Sequence, residues 1–161
     1  MKTESLRNAT IAGAAALASA AGAAALLPAL AAGSPHAQAA SAAKVMLRHT
    51  SRGTILVASN GHTVYEFTRD RLRQNSCVSV RGCSSAWPPL LTSARPVAGT
   101  GVQSSMLSTI AISGGRKQVT YAGHALYLYS EDSAPGETGY IGAKQFGGFW
   151  YGLTSSARAV R

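Results

Sequence analysis

Acidic residues are scarce in this chain. Six Asp and Glu stand against fifteen Lys and Arg in 161 residues, a formal charge of +9. Charged residues of both signs amount to 13%, while 46% of the chain is hydrophobic. That excludes a disordered polyelectrolyte, which pairs few apolar residues with a high charge density. Cysteine occurs only at Cys77 and Cys83. Two thiols are too few for a cysteine-built zinc centre. With no cysteine before Cys77, none is available for N-terminal acylation. Helical periodicity is lacking as well: Gly and Pro punctuate the chain from residue 40 onward, and no window longer than ten residues holds a 3.6-residue period. No nucleophile elbow, Ser-His-Asp order, Walker loop or zinc-protease motif is present, so catalysis is not expected. The length suits one ordinary domain.

The beginning of the chain has the anatomy of an export signal. Lys2 and Arg7 supply positive charge, Ala12 to Gly33 carries none, and the small-x-small sites Ala29-Leu30-Ala31 and Ala37-Gln38-Ala39 come after it. Cleavage is expected after Ala39. The alternative is a retained anchor, since the apolar run approaches the ~20 residues of a spanning helix. Pro28 and the weak hydrophobicity of Ala favour cleavage. The mature chain would be Ala40–Arg161, with thirteen basic and five acidic residues and a charge of +8. It is expected to be secreted or held in the cell envelope, without a lipid anchor.

An internal repeat organises the chain beyond this signal. Gly61-His62-Thr63-Val64-Tyr65-Glu66-Phe67-Thr68-Arg69-Asp70 aligns with Gly123-His124-Ala125-Leu126-Tyr127-Leu128-Tyr129-Ser130-Glu131-Asp132, with four identities and three conservative pairs in ten positions. A tryptophan lies downstream of each copy, Trp87 and Trp150. Such self-similarity indicates duplication. Each copy reads as a β-hairpin. Thr54–Ser59 is β-branched and apolar, Asn60-Gly61 predicts a turn with φ > 0 at both positions, and Thr63–Thr68 returns. In the second copy Gln118–Tyr121 runs out, Ala122-Gly123 turns, and Ala125–Ser130 comes back. Met106–Ile112 reads as a further short strand.

The strand period of two places Tyr65 with Phe67, and Tyr127 with Tyr129. Val64, Glu66 and Thr68 predict a wet opposite face for the first strand. Leu126 and Leu128 predict that the second is covered on both sides. Asp70 and Asp132 fall just past their strands, where an Asx-type turn is expected. The fold class is therefore all-β: a small antiparallel sheet protein of two pseudo-symmetric hairpin repeats, at 54–90 and 116–153, within one domain spanning 52–153. Residues 40–51 read as a linker and 154–161 as a flexible tail.

The doubled Y-x-[FY]-x-x-D, the cysteine loop, Trp87-Pro88-Pro89-Leu90 and Gly147-Gly148-Phe149-Trp150-Tyr151 together define a pattern over about residues 52–153. It resembles the bacterial secreted or lipoprotein repeat family of unknown function with the Yx(FWY)xxD motif. The resemblance implies an exported all-β envelope protein and supplies no catalytic residue. This chain differs from the family's lipoproteins in lacking the acylated cysteine.

Each chemical constellation has a plain alternative. Cys77 and Cys83 close a short loop, and in an exported protein a disulfide is expected, ahead of metal binding or redox exchange. His62 and His124 occupy equivalent places. If they converge about a pseudo-two-fold axis, with Asp70 or Asp132, they make a transition-metal or redox-cofactor site; otherwise they are turn residues. No cofactor is expected, a metal at these histidines being the alternative. Tyr65, Phe67, Tyr127 and Tyr129 with Trp87 and Trp150 are either core or a platform for a sugar, quinone or porphyrin, and strand aromatics favour core. Asp70 and Asp132 as a glycosidase-like pair are a weaker account than turn-capping. Arg69, Arg71, Arg73 and Arg81 crowd the cysteine loop. They are a solvated connection or a surface for an anionic envelope polymer or membrane. Nucleic acid is not an expected partner; no protein partner is legible. The leading reading is a non-enzymatic exported binding protein.

Overall fold

The computed structural model describes residues 41–161. The signal segment and its cleavage site lie outside them. Eleven short strands occur in the order β1 (Lys44–Thr50), β2 (Gly53–Ala58), β3 (Tyr65–Phe67), β4 (Leu91–Thr92), β5 (Val97–Ala98), β6 (Leu107–Ile112), β7 (Arg116–Tyr121), β8 (His124–Ala125), β9 (Lys144–Gln145), β10 (Gly148–Leu153) and β11 (Ala159–Val160). Helix among the described residues is limited to α1 (Cys83–Ala86) and three single 3₁₀ turns. The fold is all-β, as the period-two patterning required.

The strands form three small sheets. One has the order β2-β1-β5, one β11-β10-β3 with β9 also on β10, and one β4-β7-β6 with β8 also on β7. All pairings are antiparallel except β1 with β5. Each repeat therefore opens with a hairpin, β1–β2 in the first and β6–β7 in the second. The segment read as a linker contains β1, so the first repeat begins earlier than 54. Val45 is the one fully buried residue on that strand, and the run Val45-Met46-Leu47 lacks the alternation that marks a strand. The tail is likewise tied down. β11 pairs with β10, the Tyr121 hydroxyl donates to the Ser155 carbonyl at 2.7 Å, and Gln103 Nε2 donates to it at 2.9 Å.

The two motif strands meet. The Tyr65 N–H donates to the Tyr127 carbonyl and the Tyr127 N–H to the Tyr65 carbonyl, both at 2.9 Å. These residues are repeat equivalents, so a local two-fold axis passes between them. About it the repeats exchange their ends. β10, at the end of the second repeat, pairs with β3 of the first, placing Trp150 opposite Phe67. Residues 86–90, at the end of the first repeat, pair with the motif strand of the second. Ser130 N–H donates to Ala86, Leu128 N–H to Pro88 and Leu90 N–H to Leu126, each at 2.9 Å. Pro89 faces Tyr127 in this bridge at a non-hydrogen-bonded position, so its missing N–H costs no ladder bond.

Two cores result. One is aromatic and holds Tyr65, Phe67, Trp87, Tyr127, Tyr129 and Trp150 with the Cys77–Cys83 disulfide. The other is aliphatic, with Val45, Leu56, Val64, Leu90, Val119, Leu126 and Leu153. The motif strands lie between them and are covered on both faces. The wet face expected for the first strand is confined to Thr68, past the end of β3: Val64 is fully buried and Glu66 is 8% exposed. β8 and its His124 cover that side.

The turns also differ from expectation. At Asn60-Gly61 only Gly61 has positive φ (+84°), with Gly61 N–H bonded to the Ala58 carbonyl and Ala58 N–H to that of His62. This is a three-residue loop, a turn closed by a bulge at Gly61, and it is one residue longer than its counterpart. The two-residue turn with positive φ at both positions forms at Ala122 (+49°) and Gly123 (+86°). Ala122 is held there because its N–H reaches the Met106 carbonyl at 2.8 Å, while the Gly123 carbonyl accepts the Arg73 N–H at 2.7 Å. Tertiary bonds decide this conformation over local preference.

Removing either indole opens a cavity at the junction of the repeats. Trp87→Ala and Trp150→Ala are each expected to cost about 3–5 kcal/mol, read from denaturant unfolding by circular dichroism. A loss under about 1 kcal/mol would show that the exchanged ends do not hold the repeats together. The disulfide contributes less, about 2 kcal/mol for so short a loop, and its reduction should lower stability by that amount. Free thiols in protein made under oxidising conditions would exclude the bridge altogether.

Candidate functional site

The signature residues assemble into one aromatic column. Trp87 and Trp150 stack with centroids 4.0 Å apart and planes 2° from parallel. Phe67 stacks on the outer side of Trp150 at 4.1 Å, and Tyr129 lies against the outer side of Trp87 at 4.2 Å. Tyr140 extends the column beyond Tyr129 at 4.0 Å. Tyr65 meets Trp87 edge-on and Tyr127 meets Trp150 edge-on, both at 5.1 Å. Backbone close approach makes room: a Cβ on Gly148 would stand 2.6 Å from the Phe67 ring, which accounts for glycine beside Trp150. The six motif aromatics are buried, so they form core and offer no platform to a ligand.

The motif aspartates act across the axis. The Tyr65 hydroxyl donates to both Asp132 oxygens, at 3.0 and 3.2 Å, and the Tyr127 hydroxyl donates to Asp70 Oδ2 at 2.6 Å. Each repeat's tyrosine is thus bound by the other repeat's aspartate. No local Asx turn satisfies these carboxylates. Asp70 does accept the backbone N–H and hydroxyl of Ser76, both at 2.7 Å, and so anchors the start of the cysteine loop. Burial raises both tyrosines, and the neighbouring carboxylates add to it. Burial also pushes Asp132 up to about 6, against the Tyr65 hydrogen bond and the His62 charge, with Glu137 adding to the rise. Asp70 is raised by burial too, opposed by its bonds from Tyr127 and Ser76.

The symmetry is broken in two places. The Trp87 indole N–H donates to Gln145 Oε1 at 2.8 Å, whereas the buried Trp150 Nε1 has no partner among the described residues. Gln145 lies five residues before Trp150, and five before Trp87 stands Gly82, on the cysteine loop. The histidines also diverge. His124 Nδ1 pairs with Glu66 Oε2 at 2.5 Å, and that hydrogen bond raises its pKa against the opposing effect of burial. In the second repeat Leu128 stands where Glu66 stands in the first, so His62 has no such partner there; its charge is felt instead by Asp132 and Glu137. Among the described residues no group of three or more His, Cys, Asp or Glu is placed to hold a metal ion.

The basic loop is the remaining candidate. Arg69, Arg71, Arg73 and Arg81 are all exposed. The Cys77–Cys83 disulfide is formed, with Cα atoms 5.4 Å apart. Asn75 Nδ2 donates to Gln118 Oε1 at 2.6 Å, fastening the loop to β7. Arg69 departs from the others: its side chain lies along Gly147 and Gly148 and donates to the Phe146 carbonyl at 2.8 Å. An open cleft of about 550 Å³ runs between the loop and β6, lined by Arg73, Asn75, Val78, Ile110 and Ile112. Among the described residues the only ion pair is His124–Glu66, so none of the four arginines is in ion-pair contact with a carboxylate, although the Arg69 charge acts on Asp70.

Sequence reasoning passed over Phe149 and Tyr151. Both flank Trp150 on β10 and so face away from the aromatic core. Alternation in Phe149-Trp150-Tyr151, with Trp150 taken as core, was the available signal.

Residues 46–91 and 108–154, more than half of the chain, match a family described as a secreted repeat of unknown function. No curated protein and no solved structure matches the chain. No helix among the described residues is long and apolar enough to cross a membrane.

Stability is expected to fall as pH rises from about 4 to 7. The folded state binds the Asp132 proton more tightly than the unfolded chain, whose carboxyl has the ordinary value of 3.8. Between that value and about 6 the fold must ionise a buried group that the unfolded chain has already ionised. The loss amounts to roughly 3 kcal/mol at most. The raised His124 acts with the same sign, its contribution present below its ordinary 6.5 and lost at higher pH. Asp132→Asn keeps an acceptor for Tyr65 and removes the charge, so it should flatten the acid part of the profile. Asp132→Ala leaves the tyrosine unpaired and should cost about 1–3 kcal/mol. Melting temperatures at several pH values decide; an unchanged slope in Asp132→Asn would show that this carboxyl does not carry it.

Proposed function

The chain belongs to the family of secreted repeats of unknown function, and we propose that it acts in the cell envelope as a non-catalytic protein that attaches to an anionic component. The observation that carries this reading is the unpaired arginine loop. Arg71, Arg73 and Arg81 project from a segment whose motion is limited by the disulfide, by Asp70–Ser76 and by Asn75–Gln118. Exposed charges act over about 8 Å at physiological salt, so closely spaced arginines present one combined field. Fixing the loop in advance lowers the entropy lost on binding. The absence of catalysis is supported by the state of the two carboxylates a hydrolase would employ. Asp70 and Asp132 are engaged by tyrosine hydroxyls inside the fold. Glu131 and Glu137 also serve locally, accepting from Tyr129 and from the Ser133 N–H.

Binding to phosphatidylglycerol vesicles or to a glycerol-phosphate wall polymer should weaken steeply between low and physiological salt. Arg71→Glu with Arg73→Glu should weaken it at least tenfold while the circular dichroism spectrum is kept, since each basic residue near an anionic surface contributes about 1 kcal/mol. Salt-independent binding, or no binding to either material, would reduce the loop to a solvated connection.

A further inference from the structure

β10 carries the aromatic core on one face and an open surface on the other. Phe149 and Tyr151 stand on the open face, with ring planes 2° from parallel and centroids 5.9 Å apart. Phe149 is 39% exposed and is the exposed aromatic among the large apolar side chains of the described surface. A cation lies over each ring. Lys144, directly opposite Phe149 in the β9–β10 register, lies 5.7 Å from the Phe149 centroid, and the Arg161 guanidinium lies 5.6 Å from that of Tyr151. Arg52 Nη1 donates to the Arg161 carbonyl at 3.1 Å, holding that end of the chain in place.

Across the sheet Tyr151 is opposite Glu66, which is buried and paired with His124 on the neighbouring β8. His124 follows Gly123, whose carbonyl accepts the Arg73 N–H. The exposed strip therefore runs from Lys144 over the Phe149 and Tyr151 rings to Arg161. It is basic at both ends and aromatic in the middle.

We propose that this strip binds an anionic glycan: a chain of sugar rings bearing carboxylate or phosphate groups. Aromatic faces present a negative quadrupole to the polarised C–H groups of a sugar ring, and cations at either end pair with the acidic substituents. A polyanion without rings would use the cations and leave Phe149 and Tyr151 idle. The inference rests on the attachment to anionic material proposed above and specifies both the surface and the ligand class.

Affinity for polygalacturonate, an acidic sugar polymer, is compared with that for polyglutamate, an acidic polymer without sugar rings, and for dextran, a neutral glycan. The expected order places polygalacturonate at least tenfold ahead of the other two. Phe149→Ala and Tyr151→Ala should each weaken polygalacturonate binding about fivefold to tenfold and leave polyglutamate unchanged. Phe149→Leu, which keeps apolar area without a ring face, should fail as Phe149→Ala does. Both aromatic variants should retain the circular dichroism spectrum, since the rings lie outside the two cores. Equal binding of both polyanions, with sensitivity only to Arg71→Glu and Arg73→Glu, would overturn the glycan strip and leave the anionic attachment standing. Full affinity in Phe149→Leu would also overturn it. No binding to either polyanion would overturn both.

Discussion

The stack of Trp87 on Trp150 is the contact on which the rest of the structure depends. Each indole belongs to the end of one repeat and lies against the motif strand of the other. Burying two of the largest side chains face to face requires both repeats at once. Neither hairpin alone covers its own aromatic face, and small isolated hairpins are marginal in water. The Tyr65–Tyr127 bridge sets the axis, and the crossed tyrosine–aspartate bonds fix the rings around it. Duplication thus yields one cooperative unit with exchanged ends instead of two beads on a string.

The Y-x-[FY]-x-x-D signature arises from this geometry. The first tyrosine must carry a hydroxyl because it reaches an acceptor across the axis. The second aromatic needs only a ring, and Phe67 and Tyr129 both serve, each stacked on a tryptophan. The aspartate must stand at the spacing that brings it round to the partner tyrosine. The cost is a buried carboxyl. Asp70 offsets it with bonds from Ser76, while Asp132 has only the tyrosine and is displaced further from its ordinary pKa. The motif is a structural device, and the surfaces available for binding lie elsewhere: on the arginine loop and on the outer face of β10.

Divergence between the repeats falls where the symmetric frame leaves freedom. The disulfide loop of the first repeat has no counterpart in the second, and Gly82 replaces the glutamine that would satisfy Trp150. Glu66 faces His124 in one half where the other half has Leu128. These changes separate two histidines that the alignment treats as equivalent. Shared position in a repeat does not imply shared surroundings once each half packs against a different insertion.

The amino-acid sequence by itself determined the duplication, the all-β class, the disulfide and the burial of the motif tyrosines and of the tryptophans. Each rests on a local period, a short loop or side-chain size. It did not determine which partner each aspartate takes, because an Asx turn and a cross-repeat tyrosine use the same residue at the same spacing. Nor did it determine the strand character of residues 44–50 and 159–160, which rests on pairing with β2 and β10 more than on their own patterning. The turn at Ala122-Gly123 and the buried state of Glu66 came likewise from contacts made by distant segments. Tertiary structure decided these points because the repeats exchange their ends. The relevant neighbours are then about sixty residues away in the chain, beyond the reach of any local pattern.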